Sequence, residues 1–433
     1  MRSRDEIQSL LAAILDHVGE GEAEATYSGE RALATRFGEN AITQNIGSAS
    51  EQVAVTIAHG ARRGSASTNK LDRDALAEMV ARADAIARHA PEDPEHVPLP
   101  GPQEYLAMPP GYFEDVAALT PEQVARDVGE VVRQATARGY TASGLFDVRA
   151  SDEAIANTHG VFGHYRHSTV DYSTTVHGPD GSGKAALNRH AYAQVDVGGL
   201  ARTAVEHAAM AQDPRPIEPG DYTVILEPAA AMDLLALLVA AMSARDAEEG
   251  STAFAGAAGT RLLNEKVTIR LRCDDADVSA PPFGDAGLAV RPTIWIESGV
   301  VRRLYHNRYW AARKGVAPDA ALLPLFMDGE DRSVADLVRQ CRRGLLVKNF
   351  WYIRHVDRRS LMLTGMTRDG LFLVENGEIV GPVKNLRWNE SPVVLLQNVV
   401  ALSRPERVAS WVPAKVPAIL SENFTFTSTT DSV

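Results

Sequence analysis

The sequence predicts an α+β fold in two halves, and three features of its patterning carry that prediction. Helical periodicity alternates with long β-type stretches in the first half, a proline-rich segment lies near the middle, and the second half is mostly β-type with one apolar helix. Segregated helices and strands are typical of α+β domains. We expect a sandwich-like N-terminal domain at 1–212, a linker at 213–220, and a strand-rich C-terminal domain with one buried apolar helix at 221–433.

The first half contains four stretches with helical spacing and three with β-type patterning. Thr120-Pro-Glu-Gln123 is a strong helix start, because a hydroxyl cap, a proline at the first helical position and a returning glutamine stand in order. Seven prolines between Pro91 and Pro110 indicate an extended strap over the surface. The predicted helices cover 5–18, 72–90, 120–139 and 196–212, and the predicted strands fall within 22–37, 41–57 and 142–176.

The second half opens with a short strand at 222–226 and an almost wholly apolar helix at 229–244. Later stretches favour strands at 267–271, at 293–305 and at 370–383, the last two turning at Glu297-Ser-Gly299 and at Asn376-Gly377. Asn-Gly between apolar runs is a strong hairpin signal, because a type I′ turn needs positive φ at both central residues. One capped helix is predicted from Ser333 to Gly344.

Composition excludes several classes of function. The formal net charge is −12 and no basic block is present, so we expect no direct nucleic-acid partner. The apolar helix has 16 residues and contains Asp233, which makes it too short and too polar to span a bilayer. A charged N-terminus argues against an export signal, so we expect a cytoplasmic protein. Two cysteines, Cys273 and Cys341, cannot form a disulfide framework, and we expect both to be buried.

Three clusters of residues resemble functional motifs, and for the first two a structural role explains the residues better. Gly178-Pro-Asp-Gly-Ser-Gly-Lys184 fits a phosphate-binding loop, but Ala185 lacks the Mg²⁺-binding hydroxyl and no amphipathic helix follows, so we predict a hairpin turn. His159, His164 and His167 lie in a β-type stretch, where His164 and His167 point to opposite faces; we expect exposed histidines and no metal site. Ser182 beside Lys184 leaves open a serine–lysine hydrolase.

Several short segments stand in a distinctive order and spacing along the chain. They are Tyr27-Ser-Gly-Glu30, Thr35-Arg-Phe-Gly-Glu-Asn-Ala-Ile-Thr-Gln-Asn45, Ala156-Asn-Thr-His-Gly160, Leu226-Glu-Pro228, Trp351-Tyr-Ile-Arg354, Leu363-Thr-Gly-Met-Thr-Arg-Asp-Gly370, Phe372-Leu-Val-Glu-Asn-Gly-Glu-Ile379, Pro382-Val-Lys384 and Arg387-Trp-Asn389. Together they resemble the TldD/TldE (PmbA) family, whose members were long described as modulators of DNA gyrase, and the resemblance covers nearly the whole chain.

The resemblance implies a metallopeptidase of two related subunits, in which TldD binds zinc through an H-E-x-x-x-H helix and a later cysteine. Zinc would polarise the scissile carbonyl while the glutamate moves a proton. Counted from Leu226-Glu-Pro228, the motif falls at or near Ala236, Leu237 and Ala241, and no cysteine follows Cys341. The chain therefore resembles the TldE subunit, with no cofactor of its own and with zinc in a TldD-type partner.

This resemblance leads to a functional hypothesis with one main rival. The leading hypothesis is a non-catalytic subunit that forms a heterodimer with a TldD-type chain and shapes a chamber for unfolded peptides. The rival is a peptide-binding adaptor or chaperone without proteolysis. Polar residues among apolar strand residues are the candidates for lining the chamber: Asn349, Tyr352, Arg354, Thr364, Arg368 and Asn389.

Overall fold

The computed structural model describes residues 1–410 and 412–430 and confirms an α+β fold. The strands before Asp213 form one sheet, and the strands from Gly220 onward form two others. Segment 213–219 holds no helix or strand, but Arg215 pairs with the end of a later strand through its amide and carbonyl groups. The predicted linker is therefore held against the C-terminal half.

Six antiparallel strands form the sheet of the N-terminal half, in the order β3-β2-β1-β4-β5-β6. Their bounds are β1 Glu22–Gly38, β2 Ala41–His59, β3 Arg62–Thr68, β4 Thr141–Asn157, β5 Phe162–His177 and β6 Ser182–Arg189. The long stretches predicted as strands are confirmed, whereas β3 was missed because its Arg-Arg-Gly-Ser-Ala-Ser-Thr sequence has little β propensity. β2 pairs on its outer side with β3 only from Val53 to His59.

Helices cover one face of this sheet. They are α1 Arg4–Asp16, α2 Arg73–His89, α3 Glu114–Ala117, α4 Pro121–Thr136 and α5 Val197–Met210. Alternate strand residues such as Ala25, Phe37 and Phe146 pack under them, since strand side chains alternate between faces. The predicted capping box of α4 is present, with the Thr120 and Gln123 side chains each bonded to the other's amide.

The proline-rich segment joins the two halves. Between Pro91 and Pro110 it contains no helix and no strand, as predicted, and it docks on the C-terminal half. Arg308 donates to the Val97 and Pro98 carbonyls at 2.9 and 2.6 Å, and the Tyr105 hydroxyl donates to the Gly287 carbonyl at 2.7 Å. Through these hydrogen bonds the strap connects the N-terminal half to the C-terminal half.

The C-terminal half contains two sheets. One has the order β10-β9-β8-β11-β18-β17. In the other, β12 pairs with both β7 and β13, so the pairings β12–β7–β19–β15–β13 close into a ring. The strands are β7 Gly220–Leu226, β8 Ile269–Leu271, β9 Thr293–Glu297, β10 Val300–Val301, β11 Leu325–Met327, β12 Arg343–Asp357, β13 Met362–Glu375, β14 Glu378–Pro382, β15 Leu386–Glu390, β16 Val399–Leu402, β17 Glu406–Arg407, β18 Ala414–Val416 and β19 Ile419–Thr429.

More helices interrupt these strands than the sequence predicts. They are α6 Pro228–Ala240, α7 Ala244–Glu248, α8 Arg308–Lys314, α9 Val334–Gln340 and α10 Pro392–Gln397. The expected helix to Ala244 is wrong at its end, because the chain leaves α6 after Ala240 and Ser243 caps α7. The missed helices are short, with five to seven residues, which gives periodicity too few turns to register.

Candidate functional site

Helix α6 carries the positions where the family resemblance places the zinc motif. Pro228 starts it at a position where a missing amide costs nothing, and its alanine and leucine side chains enter the main core of the C-terminal half. Ala236 is buried, Leu237 is half-buried, and Ala241 lies just beyond the last turn. The sequence prediction of a buried apolar helix is confirmed.

Zinc does not fit these three positions. Zinc ligands in proteins are thiolate, imidazole or carboxylate groups, and aliphatic side chains offer no lone pair. Cys341 lies elsewhere, at the end of α9, where burial raises the pKa of its thiol among Leu337, Leu346 and Ala401. No group of three or more metal-binding side chains occurs within 1–410 and 412–430. Cys273 is only partly buried, which corrects the expectation for that residue.

Asp233 on α6 lies near a charged side chain of the N-terminal half. Burial raises the pKa of Asp233 to about 6, while the positive charge of Lys184 on β6 acts against that rise. Burial lowers the pKa of His207 on α5 to about 4, and its Nδ1 lies 3.3 Å from the Lys184 carbonyl oxygen. Sequence reasoning noted Asp233 only as a polar break in an apolar helix and did not foresee these partners.

Five of the six predicted chamber residues lie on one side of three adjacent strands. Asn349 on β12 is paired with Arg368 on β13, and Arg354, Thr364 and Asn389 form a row across β12, β13 and β15. Residues directly opposite in a ladder point to the same face. Their neighbours Phe350, Leu363 and Trp388 are buried inside the ring, so this row lies on its outside. Whether it lines a chamber remains a prediction.

Tyr352 lies where the β12–β13 ladder is irregular. The register shifts between Trp351 and Arg354, and Tyr352 has φ of 57°, which is uncommon for a bulky residue. The guanidinium of Arg354 lies 4.3 Å from the Tyr352 ring centroid, and that of Arg368 lies 4.5 Å from the Trp351 ring. The bulge therefore projects two aromatic rings, each stacked with an arginine.

The glycine-rich motif forms the turn of the β5–β6 hairpin, as predicted. The Gly178 amide donates to the Gly181 carbonyl at 2.9 Å across the turn. The Ser182 hydroxyl donates at 2.7 Å to the buried carboxylate of Asp369, which lies on β13 in the C-terminal half. Ser182 is therefore tied to a carboxylate across the boundary between the halves.

The three histidines separate as predicted, but they are not all exposed. His164 lies 3.0 Å from Asp152, a buried carboxylate that also accepts from Arg166, and together these groups form a paired cluster under the helices. His167 stacks on Tyr165 on the opposite face, and burial lowers its pKa. The expectation of exposed strand histidines is wrong for His164 and His167. His164 contacts buried Asp152, and His167 stacks on Tyr165, whose hydroxyl is hydrogen-bonded to Ser279 of the C-terminal half.

Comparison with solved structures identifies the fold. TldE from Thermococcus kodakarensis superposes with a TM-score of 0.88 over 97% of this chain and 99% of that one, at 18% identity. Proteins described as modulators of DNA gyrase from Thermotoga maritima and Bacteroides thetaiotaomicron each give a TM-score of 0.86 over 98% of this chain, covering 100% and 99% of their own, at 18% identity. Comparison with proteins of curated function gives no significant match.

A protein-family model matches the C-terminal half of the chain. Residues 219–428 match the PmbA/TldA metallopeptidase C-terminal domain, a region that includes α6, the closed ring and the row of chamber candidates. Over residues 219–428 the chain carries the C-terminal domain of the PmbA/TldA metallopeptidase family, and over 97% of its length it shares the fold of the TldE structure. No helix within the described residues is long and apolar enough to cross a membrane.

Proposed function

We propose that this chain is the non-catalytic, TldE-like subunit of a cytoplasmic heterodimeric zinc metallopeptidase. Its role is to shape the peptide chamber of a TldD-type partner that holds the zinc, and its ligands are unfolded peptides rather than nucleic acid or membrane. The observation that carries the proposal is the chemistry of α6 and its C-terminal cap, which offer Ala236, Leu237 and Ala241 where the resemblance expects zinc ligands. Aliphatic groups cannot hold or activate a zinc-bound water.

An open sheet edge supports peptide binding. Residues 41–50 of β2 pair with β1 on one side, and no strand within 1–410 and 412–430 pairs with them on the other. All ten are exposed and none is charged. Such an edge offers free amide and carbonyl groups to an extended chain, which gives affinity without sequence specificity.

The proposal is tested with purified protein, alone and mixed with a TldD-type chain of the same organism. We expect the lone chain to bind less than stoichiometric zinc and to leave an unfolded casein-like substrate intact, while the mixture cleaves it. Zinc content is measured by atomic absorption and cleavage by mass spectrometry. Stoichiometric zinc with cleavage by the lone chain contradicts the proposal.

The adaptor hypothesis predicts a different result for the same mixture. If the complex binds the substrate and returns it intact after prolonged incubation, the chain is an adaptor or chaperone. A matched control uses a partner whose zinc-helix glutamate is replaced by glutamine, which retains the complex and removes proton transfer. Cleavage that disappears in this control is assigned to the partner.

A further inference from the structure

The outside of the closed ring carries a patch of arginine and aromatic side chains, which we call the cationic face. It consists of Trp351, Tyr352 and Arg354 on β12, Arg368 on β13, and Arg387 on β15. Trp351, Met366 and Arg387 are directly opposite one another across the three strands, so their side chains share one side. Arg358 and Arg359 extend the same positive charge to the tip of the β12–β13 hairpin.

The positive charges of this face have few anionic partners in the chain. Within the described residues, Arg354, Arg358, Arg359 and Arg387 form no ion pair within 4.0 Å, and the closest carboxylate oxygen to Arg368 is 3.9 Å away. The nearby Asp357 accepts from the amide and hydroxyl of Ser360 at 2.9 and 2.5 Å.

Exposed arginines elsewhere are of two kinds: some pair with carboxylates, and others, such as Arg202, form no ion pair within 4.0 Å among the described residues. Arg133 pairs with Glu130 at 2.6 Å, and Arg404 pairs with Asp331 at 2.6 Å. The chain as a whole has a net charge of −12, so acidic side chains are not scarce. What distinguishes the cationic face is that several arginines with few or no close carboxylates lie together, and such a cluster favours an anionic ligand from outside the chain.

The aromatic rings make this face a better docking surface than charge alone would. Trp351 and Tyr352 are 50% and 59% exposed, and each ring already carries a stacked guanidinium. Stacking fixes the plane of an arginine. One Nη of Arg354 donates to the Ile353 carbonyl oxygen at 2.7 Å, so its other N–H groups are the ones that would bond a carboxylate. Tryptophan, tyrosine and arginine are also the side chains that most often dominate binding energy at interfaces.

We propose that the cationic face binds acidic segments of extended polypeptides, with aspartate or glutamate carboxylates on Arg354, Arg368 and Arg387 and an apolar side chain against Trp351. A peptide is favoured over nucleic acid because the acidic body of the protein repels a long polyanion. In addition, β12 pairs with β7 from Gly344 to Val347 and no further. Within the described residues, the edge of β12 after Val347 is therefore open to an extended chain. The inference rests on the proposed function for the peptide nature of the ligand.

The test measures binding by the purified full chain without partner or zinc. The probe is a short fluorescein-labelled peptide in which glutamate alternates with alanine around one tryptophan, and its control has glutamine in place of every glutamate. By fluorescence anisotropy we expect the glutamate peptide to bind about tenfold more tightly, since each exposed ion pair contributes about two- to fivefold. Equal binding of the two peptides overturns the proposal.

Variants locate the binding. R354Q/R368Q/R387Q is expected to weaken binding of the glutamate peptide about tenfold, and W351A to weaken binding of both peptides. R133Q/R202Q/R404Q removes the same charge from exposed sites elsewhere and is expected to leave binding unchanged. An unchanged affinity in the first variant overturns the proposal, and so does a single-stranded oligonucleotide that binds more tightly than the peptide through the same arginines.

Failure of this inference is distinguishable from failure of the proposed function. If the complex cleaves peptides but the lone chain binds both probes equally, the inference fails and the proposed function stands. If the lone chain prefers the glutamate probe but the complex never cleaves, the proposed function fails and the cationic face stands.

Discussion

Asp233 shows how a single buried carboxyl group makes stability depend on pH. Burial raises the Asp233 pKa to about 6, well above the range that is usual for an aspartate. The folded state therefore holds the proton more tightly than the unfolded state. The contribution of Asp233 to stability is greatest at low pH, falls as the pH rises from about 4 through 6, and stays lower above that range.

We predict that Asp233→Asn stabilises the protein at neutral pH. The gain in free energy of unfolding is at most about 3 kcal/mol at pH 7.5 and is close to zero near pH 4. Urea denaturation at the two pH values measures it. Asp331→Asn is the control, because its carboxyl group is 90% exposed. An equal effect of Asp233→Asn at both pH values contradicts the assignment.

Substitution of Ser182 tests the hypothesis of a serine–lysine hydrolase. The Ser182 hydroxyl is a donor to buried Asp369, so Ser182→Ala leaves a buried carboxylate with one bond fewer. We expect a loss of about 1–3 kcal/mol in free energy of unfolding and no change in peptide cleavage by the complex. Ser9→Ala, at an exposed position of α1 away from the β2 edge, is expected to change neither quantity. Abolished cleavage by a folded Ser182→Ala variant would revive the hydrolase hypothesis.

At the scale of elements, short sequence motifs predicted the structure correctly where only a few residue types can satisfy the geometry. The Thr120 capping box and the Asn376-Gly377 turn were predicted to the residue, because few other residues satisfy those geometries. The β3 strand and the helices of five to seven residues were missed, since their formation depends on neighbours that the sequence does not show. The row from Arg354 to Asn389 was predicted from family-like residues, but only the ladder register brings them to one side.

The Asn376-Gly377 turn yields a prediction about strain. Gly377 has φ of 83°, and a Cβ atom there would lie 2.8 Å from the Arg339 carbonyl oxygen. Gly377→Ala should therefore cost more than the roughly 1 kcal/mol that positive φ alone costs. Gly250→Ala is the matched control, because Gly250 has φ of 69° with open space around its Cβ position. Thermal unfolding followed by circular dichroism compares the two, and equal losses would show that the clash is relieved.

At the scale of the molecule, the two halves are joined by buried polar contacts that no sequence pattern announced. His190 on the loop after β6 accepts at Nε2 from the Ser279 amide at 3.2 Å, and its Nδ1 lies 3.0 Å from the Ser168 carbonyl oxygen. Burial, followed by the positive charge of Arg407, lowers the His190 pKa to about 4. These residues are separated by 22 and 89 positions in the chain, beyond the range of any local signal.

This contact predicts acid sensitivity of the joined halves. Because the folded His190 pKa lies below the usual 6.5, the stabilisation is complete above about pH 6.5 and is lost as the pH falls towards 4. We expect His190→Gln to lower the unfolding temperature at pH 7.5 and to flatten its decline between pH 6.5 and 4.5. Differential scanning calorimetry measures both, with His159→Gln, on an exposed histidine, as the control. An unchanged decline in His190→Gln would assign the sensitivity to another group.

The uncharged outer edge of β2 has a consequence for how the protein must be made. Ten consecutive exposed residues without a repelling charge would let one copy recruit another by continuing the sheet, and natural proteins usually guard such edges with lysine, proline or a bulge. A cell that synthesised this chain in excess would therefore risk aggregation. We expect synthesis of this chain in step with its proposed TldD-type partner to limit that aggregation. Co-expression of the two chains is therefore the way to obtain material for crystallisation.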